Sequence, residues 1–204
     1  LANPIIGTRA LSDIPEWAGR MGKAVIAGIQ ETGVFPVGKH FPGHGDTDRD
    51  SHLELPYVNR DADLLEKIEL EPFVQTVSHG VQVIMTAHVI YSAWDDQLPA
   101  TFSPFILKNI LREKLGFDGF VITDDLEMKA VGENIPFESI PRLGSIAGVD
   151  LYLICHDRKK TLSLQNQMIQ DIEKGHIDKE QIKLSVQKII DFKKQIRVSS
   201  HGKE

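Results

Sequence analysis

From Lys39 to His52 the chain reads Lys-His-Phe-Pro-Gly-His-Gly-Asp-Thr-Asp-Arg-Asp-Ser-His. One proline and two glycines exclude a helix here, so the polar side chains belong to a shaped loop. In an extended stretch, Asp50 and His52 at i and i+2 project to the same side. The carboxylate can then orient the imidazole, giving a proton donor and acceptor poised near neutral pH. A second stretch, Phe120-Val121-Ile122-Thr123-Asp124-Asp125-Leu126-Glu127-Met128, is an apolar run that ends in paired carboxylates. A strand end fixes Asp124 rigidly enough to serve as nucleophile, metal ligand or general base. Lys39 and His40 stand together at another such end, where a ligand contact is favoured over an ordinary ion pair. Asp125 is the weaker of its pair, suited to backbone hydrogen bonds. His44 is expected to tie down its own loop, His88 to satisfy a buried carbonyl, and His156 and Asp157 to be structural.

Metal chemistry is the competing reading of the loop. Asp46, Asp48 and Asp50 alternate like calcium ligands, but an EF-hand needs glycine sixth and glutamate twelfth, where this chain has Ser51 and Tyr57. His40 and His44 cannot be a helical zinc pair with Pro42 and Gly43 between them. The single cysteine, Cys155, rules out an intrachain disulfide framework and a Cys-based zinc cluster. No metal and no organic cofactor are expected.

The elements that must hold these residues alternate. A helix is predicted from Pro15 to Gln30, on the spacing of Trp17, Met21, Val25 and Ile29, with Gly33 as its stop. A strand follows over Val34–His40. Helical segments from Asp61 to His79, broken or restarted at Pro72, precede a strand over Val81–His88. Ser103 and Pro104 open a helix that ends at Gly116. Then come a strand over Phe120–Asp124, a helix near Phe137–Ala147, a strand over Val149–Cys155, and two amphipathic helices, the last opened by Asp178 and Gln181 in capping-box spacing. This alternation predicts parallel βα units. Lys39 and His40, His88, Asp124 and Asp125, and His156 and Asp157 each fall where a strand finishes, which is where a (β/α)8 barrel builds its site. An open doubly wound sheet would also bind there, but no glycine-rich phosphate loop is present.

A closed barrel needs eight strands and typically ~250 residues, and here about four strands are readable. The expected fold is therefore α/β, the C-terminal part of a (β/α)8 barrel in one partial domain over 1–204, starting after the third barrel strand, with 198–204 as an irregular tail. A formal charge of -6 without a dense cationic run argues against a nucleic-acid partner. No run approaches the ~20 apolar residues of a membrane span. Open strand edges would invite self-association.

Taken together, Lys39-His40-Phe41-Pro42-Gly43-His44-Gly45 with Asp50-Ser51-His52, Ile122-Thr123-Asp124-Asp125-Leu126-Glu127-Met128, Asn3-Pro4-Ile5-Ile6-Gly7-Thr8-Arg9 and Ile84-Met85-Thr86-Ala87-His88-Val89 resemble glycoside hydrolase family 3, in its bacterial β-N-acetylglucosaminidase branch. The resemblance covers nearly the whole chain. It implies that Asp124 attacks the anomeric carbon and that His52, assisted by Asp50, protonates the leaving oxygen and later activates water. It also implies that Lys39, His40 and Arg9 hydrogen-bond the sugar. The implied activity is retaining hydrolysis of terminal β-linked N-acetylglucosamine from cell-wall muropeptides or chitooligosaccharides, with a carbohydrate as partner. Family contacts from the earlier barrel strands have no counterpart in this sequence. A neutral imidazole would not repel an anionic acceptor, so phosphorolysis is a variant of this reading. An inactive or carbohydrate-binding fragment is the non-enzymatic alternative. Related single-domain enzymes imply a cytoplasmic location, and exported ones the reverse.

Overall fold

The computed structural model describes residue 3 and residues 6–47 and 55–200. A short 3-10 turn, Gly7–Arg9, leads to helix α1, Pro15–Glu31, which opens with Pro15 in its first turn, where the missing N–H costs nothing. Strand β1 is Val37–Phe41 and β2 is Tyr57–Val58. Helix α2, Ala62–Leu65, a π-type segment, Glu66–Leu70, and α3, Glu71–Ser78, follow one another directly, with Pro72 in the first turn of α3. Strands β3, Val83–Thr86, and β4, Ile90–Tyr91, come next. After a 3-10 turn, Ala100–Phe102, a π-type helix spans Phe105–Lys114; the Ser103 hydroxyl accepts the Ile106 N–H at 3.2 Å. Strand β5 is Phe120–Asp125 and α4 is Lys129–Gly132. A 3-10 turn, Phe137–Ser139, enters α5, Ile140–Ala147, which ends at Gly148 in the left-handed conformation, φ 98°. Strand β6, Leu151–Leu153, and helices α6, Arg158–Glu173, and α7, Lys179–Ser200, complete the order.

Strands β1, β3, β5 and β6 form one sheet in that order, every pair parallel. Consecutive order without reversal is the pattern of a barrel arc; a doubly wound sheet would switch direction part way. The sequence reading missed the second sheet, β2 parallel to β4. Its strands are two residues each, too short to display a period of two.

Strand alternation sorts the core onto the two faces of the sheet. Ile84 and Val121 are buried with Ile26, Phe73, Ile106, Leu107 and Leu111 of the flanking helices. Val83, Phe120 and Ile122 face the other way and pack with Met85, Leu153, Ile189 and Phe192. The Phe192 ring lies 4.8 Å from Phe120 and 4.0 Å from Phe35, so α7 covers that second face.

Beneath the arc is a polar node the sequence did not reveal. Asp150, 4% exposed, accepts hydrogen bonds from Arg112 Nη2 (3.0 Å), the Val121 N–H (3.1 Å) and the Ser185 hydroxyl (2.6 Å). Arg112 also donates to the carbonyls of Phe117 and Gly119, at 3.0 and 2.7 Å. It ties the helix–strand turn to the next strand.

Candidate active site

Parallel pairing brings the carboxyl ends of β1, β3, β5 and β6 to one rim. In β1 the register shifts between Gly38 and Phe41, and in β5 between Ile122 and Asp125. Lys39 and His40 lie inside the first irregularity and Asp124 inside the second. Such local breaks re-aim side chains that a regular ladder would hold flat. The Lys39–His40 and Phe41–Pro42 peptide bonds are cis.

His40 and Asp124, 84 positions apart, meet at this rim with Nε2 3.4 Å from Oδ2. That separation exceeds a good N–H···O bond. Burial pushes the His40 imidazole down to about 4, overriding the pull of Asp124, while His44, Lys39 and Arg9 lower it further. At neutral pH the contact is therefore between an uncharged ring and a carboxylate. Asp124 Oδ1 accepts the Asp125 backbone N–H at 2.8 Å, which holds the carboxylate plane, while Oδ2 is the oxygen that meets His40. Lys39 is exposed beside His40. Arg9 is exposed at the end of its 3-10 turn, and its charge is felt at His40. Asp50 and His52 lie outside the described residues.

A buried chain of hydrogen bonds supports Asp124 from below. His88, 1% exposed, has Nε2 3.2 Å from the Asp125 carbonyl and Nδ1 2.8 Å from the Thr101 hydroxyl. Burial lowers its pKa, so the ring is neutral and carries one proton. The Thr101 hydroxyl also donates to the Ala87 carbonyl at 3.0 Å and lies 2.9 Å from Thr86 Oγ1, so His88, Thr101 and Thr86 form one buried polar cluster that reaches the Asp125 carbonyl.

Asp125 and Glu127 join the next loop to this rim. Asp125 Oδ1 accepts the N–H groups of Glu127 and Cys155 at 3.1 and 3.3 Å, and Glu127 Oε2 accepts those of His156 and Asp157 at 2.6 and 3.2 Å. Asp157 caps α6, accepting the Lys159 N–H at 2.7 Å. Asp125, Glu127 and His156 offer ligand atoms within 4.8 Å of one another. Backbone donors already occupy one oxygen of each carboxylate, and Lys160 Nζ stands 3.3 Å from Glu127 Oε1. The arrangement is that of a loop tie.

The loop after β1 is latched at two points. His44 Nδ1 meets the Thr47 hydroxyl at 2.7 Å, and Asn3 Nδ2 donates to the carbonyls of His44, Gly45 and Thr47 at 2.8, 3.1 and 3.0 Å. Arg60 makes a two-pronged contact with Asp46. Asn3 and Arg60 were missed as loop anchors, because nothing in local spacing links residues 41 and 14 positions away.

A carboxylate seated among imidazoles and lysine, at the carboxyl rim of sequential parallel βα units, defines a barrel protein built to hold a polar ligand at that rim. Residues 1–192 match the glycosyl hydrolase family 3 N terminal domain, and the chain belongs to that family. It is 43% identical over 152 residues to a beta-hexosaminidase of Alkalilimnicola ehrlichii, covering 74% of this chain and 43% of the relative. A beta-hexosaminidase of Haemophilus influenzae is 41% identical over 160 residues, covering 78% and 45%. The structure superposes on a glycoside hydrolase family 3 beta-N-acetylglucosaminidase from Paenibacillus sp. with TM-score 0.93 and 37% identity, over 97% of this chain and 38% of the other. The chain spans less than half the length of these relatives.

Proposed function

We propose that this chain carries the reacting face of a retaining β-N-acetylhexosaminidase, acting on terminal non-reducing β-linked N-acetylglucosamine of muropeptides or chitooligosaccharides. The observation that carries this reading is the Asp124 carboxylate, held by the Asp125 N–H, a quarter exposed, and set against His40 at the end of β5. Asp124 attacks the anomeric carbon as the glycosidic C–O bond breaks, and the departing oxygen takes a proton from His52, which Asp50 orients. Water then attacks the glycosyl-Asp124 ester, returning its proton to His52 and freeing the carboxylate. His40, uncharged at neutral pH, offers the sugar a hydrogen bond without quenching the nucleophile, while Lys39 and Arg9 supply further donors.

The test is nitrophenol release from an aryl β-N-acetylglucosaminide by the chain and its Asp124→Ala form, with chelator present or absent and phosphate varied. Turnover that ignores chelator and vanishes in the variant supports the reading. Acceleration by phosphate with formation of a sugar phosphate replaces hydrolysis by phosphorolysis. A folded chain that binds sugar without turnover leaves a carbohydrate-binding fragment.

A further inference from the structure

Glu69 is a buried acid for which the proposed reaction has no use. It lies in the π-type segment Glu66–Leu70, is 6% exposed, and its Oε2 has no hydrogen-bond partner among the described residues. An orphaned carboxyl oxygen in the interior forfeits its hydration without replacement, so its retention calls for a reason. A single-residue widening of a helix is frequent at functional positions. Here the widened segment turns Glu69 toward the underside of the loop that follows His40.

The contact with that loop is tight. A Cβ built on Gly43 would stand 2.7 Å from Glu69 Cβ and 2.9 Å from its Cγ, so the Gly43 backbone rests on the Glu69 side chain. The Tyr91 hydroxyl, buried alongside, donates to the Gly43 carbonyl. Among the described residues, the charges felt at Glu69 are those of Arg60 and Asp46, which contact each other, and the charge of Glu69 is felt in turn at Tyr91 of β4.

We infer that Glu69 is a positioning residue: its protonation state sets how firmly Arg60 holds Asp46, and so how the Gly43–Thr47 loop is seated beside His40. The neutral acid leaves the guanidinium to Asp46. The carboxylate places a second negative charge on the same guanidinium, attracting Arg60 and repelling Asp46, and loosens the grip. Burial raises the Glu69 carboxyl to about 7, with Arg60 opposing and Asp46 adding to the shift.

The inference rests on the glycosidase reading for its catalytic consequence only, and two measurements separate them. The first follows the Glu69 side-chain carboxyl carbon and the Gly43, Gly45 and Thr47 amides by NMR from pH 5 to 9, in the native chain and in Glu69→Gln. The carboxyl should titrate near 7, with an amide transition at the same midpoint that Glu69→Gln lacks. A carboxyl titrating in the ordinary range near 4, or amides indifferent to it, overturns the inference whether or not the chain is active. Because the carboxyl titration is read in the native chain, a variant that fails to fold does not remove the test. The second is kcat and KM for the aryl glycoside across the same range. A group titrating at 7 is roughly tenfold less protonated at pH 8 than at pH 6. The native kcat should fall by up to that factor while the fall is blunted in Glu69→Gln with KM little changed; identical profiles overturn the inference. Absence of turnover in both forms at every pH sinks the proposed function and leaves the NMR result to decide this one.

Discussion

His40 Nε2 sits 3.4 Å from Asp124 Oδ2, and the imidazole is buried so completely that the carboxylate beside it does not keep it charged at neutral pH. Folding suppresses the protonation of a group that an unfolded chain titrates at about 6.5. As pH falls below about 6.5 the unfolded chain takes up the proton first, so stability is fully present above that value and declines until the folded pKa near 4 is reached. Thermal unfolding followed from pH 8 to pH 4 should show this decline in the native chain and a shallower one in His40→Gln. Equal slopes would mean that His40 is not the group responsible.

Asp124→Asn keeps the size and the hydrogen bond to the Asp125 N–H but removes the nucleophilic charge. Turnover of the aryl glycoside should drop by on the order of 10⁴-fold, with little change in unfolding temperature. A variant that retains more than a tenth of the activity would move the nucleophile elsewhere.

Replacing His88 by Leu fills much of the same space yet takes the ring partner from the Asp125 carbonyl in a dry interior and leaves the Thr101 hydroxyl only its contacts with Thr86 and the Ala87 carbonyl. The expected loss is about 2–4 kcal/mol in chemical denaturation. Because the Asp125 carbonyl belongs to the strand end that aims Asp124, kcat should fall as well. Thr101→Val should lose less, since it removes the hydroxyl beside Nδ1 but leaves the His88 contact with the Asp125 carbonyl.

Gly43 and Gly45 offer a paired test of the loop. At Gly43, φ is 146° and an added Cβ would press on Glu69, whereas the space around Gly45 is open and its φ is not positive. Gly43→Ala should destabilise by about 1–3 kcal/mol and disturb the loop. Gly45→Ala should be nearly neutral. Equal effects would contradict the close seating of Gly43 on Glu69.

The Asp150–Arg112 pair should show itself in stability alone. Asp150→Ala takes the carboxylate from Arg112, which keeps only the Phe117 and Gly119 carbonyls, and the acceptor from the Val121 N–H, and should cost about 3–5 kcal/mol. Its distance in the fold from the rim predicts kcat and KM close to native wherever the variant remains folded. A selective loss of kcat would overturn its assignment to the base of the arc.

The alternation of apolar runs and amphipathic segments was enough to predict parallel βα units, because strand and helix periods differ and parallel neighbours require a crossover. It also placed Lys39, His40 and Asp124 at strand ends, since each apolar run stops where its charged residues begin. The helix start marked by Ser103 was legible, because capping is local chemistry. What sequence could not supply were relationships across the chain: the two-residue pairing of β2 with β4, Asn3 on the His44–Thr47 loop, and Glu69 beneath Gly43. None of these leaves a periodic or short-range signature. The charge state of His40 belongs to the same group. Residue type gives an imidazole near 6.5, and only the burial imposed by packing β1 against its neighbours makes it a neutral partner for Asp124. Residue types and their local order therefore determined which groups stand ready for chemistry, and the tertiary structure decided which meet, at what distance and with what charge, because desolvation and long-range contact exist only once the chain has closed around them.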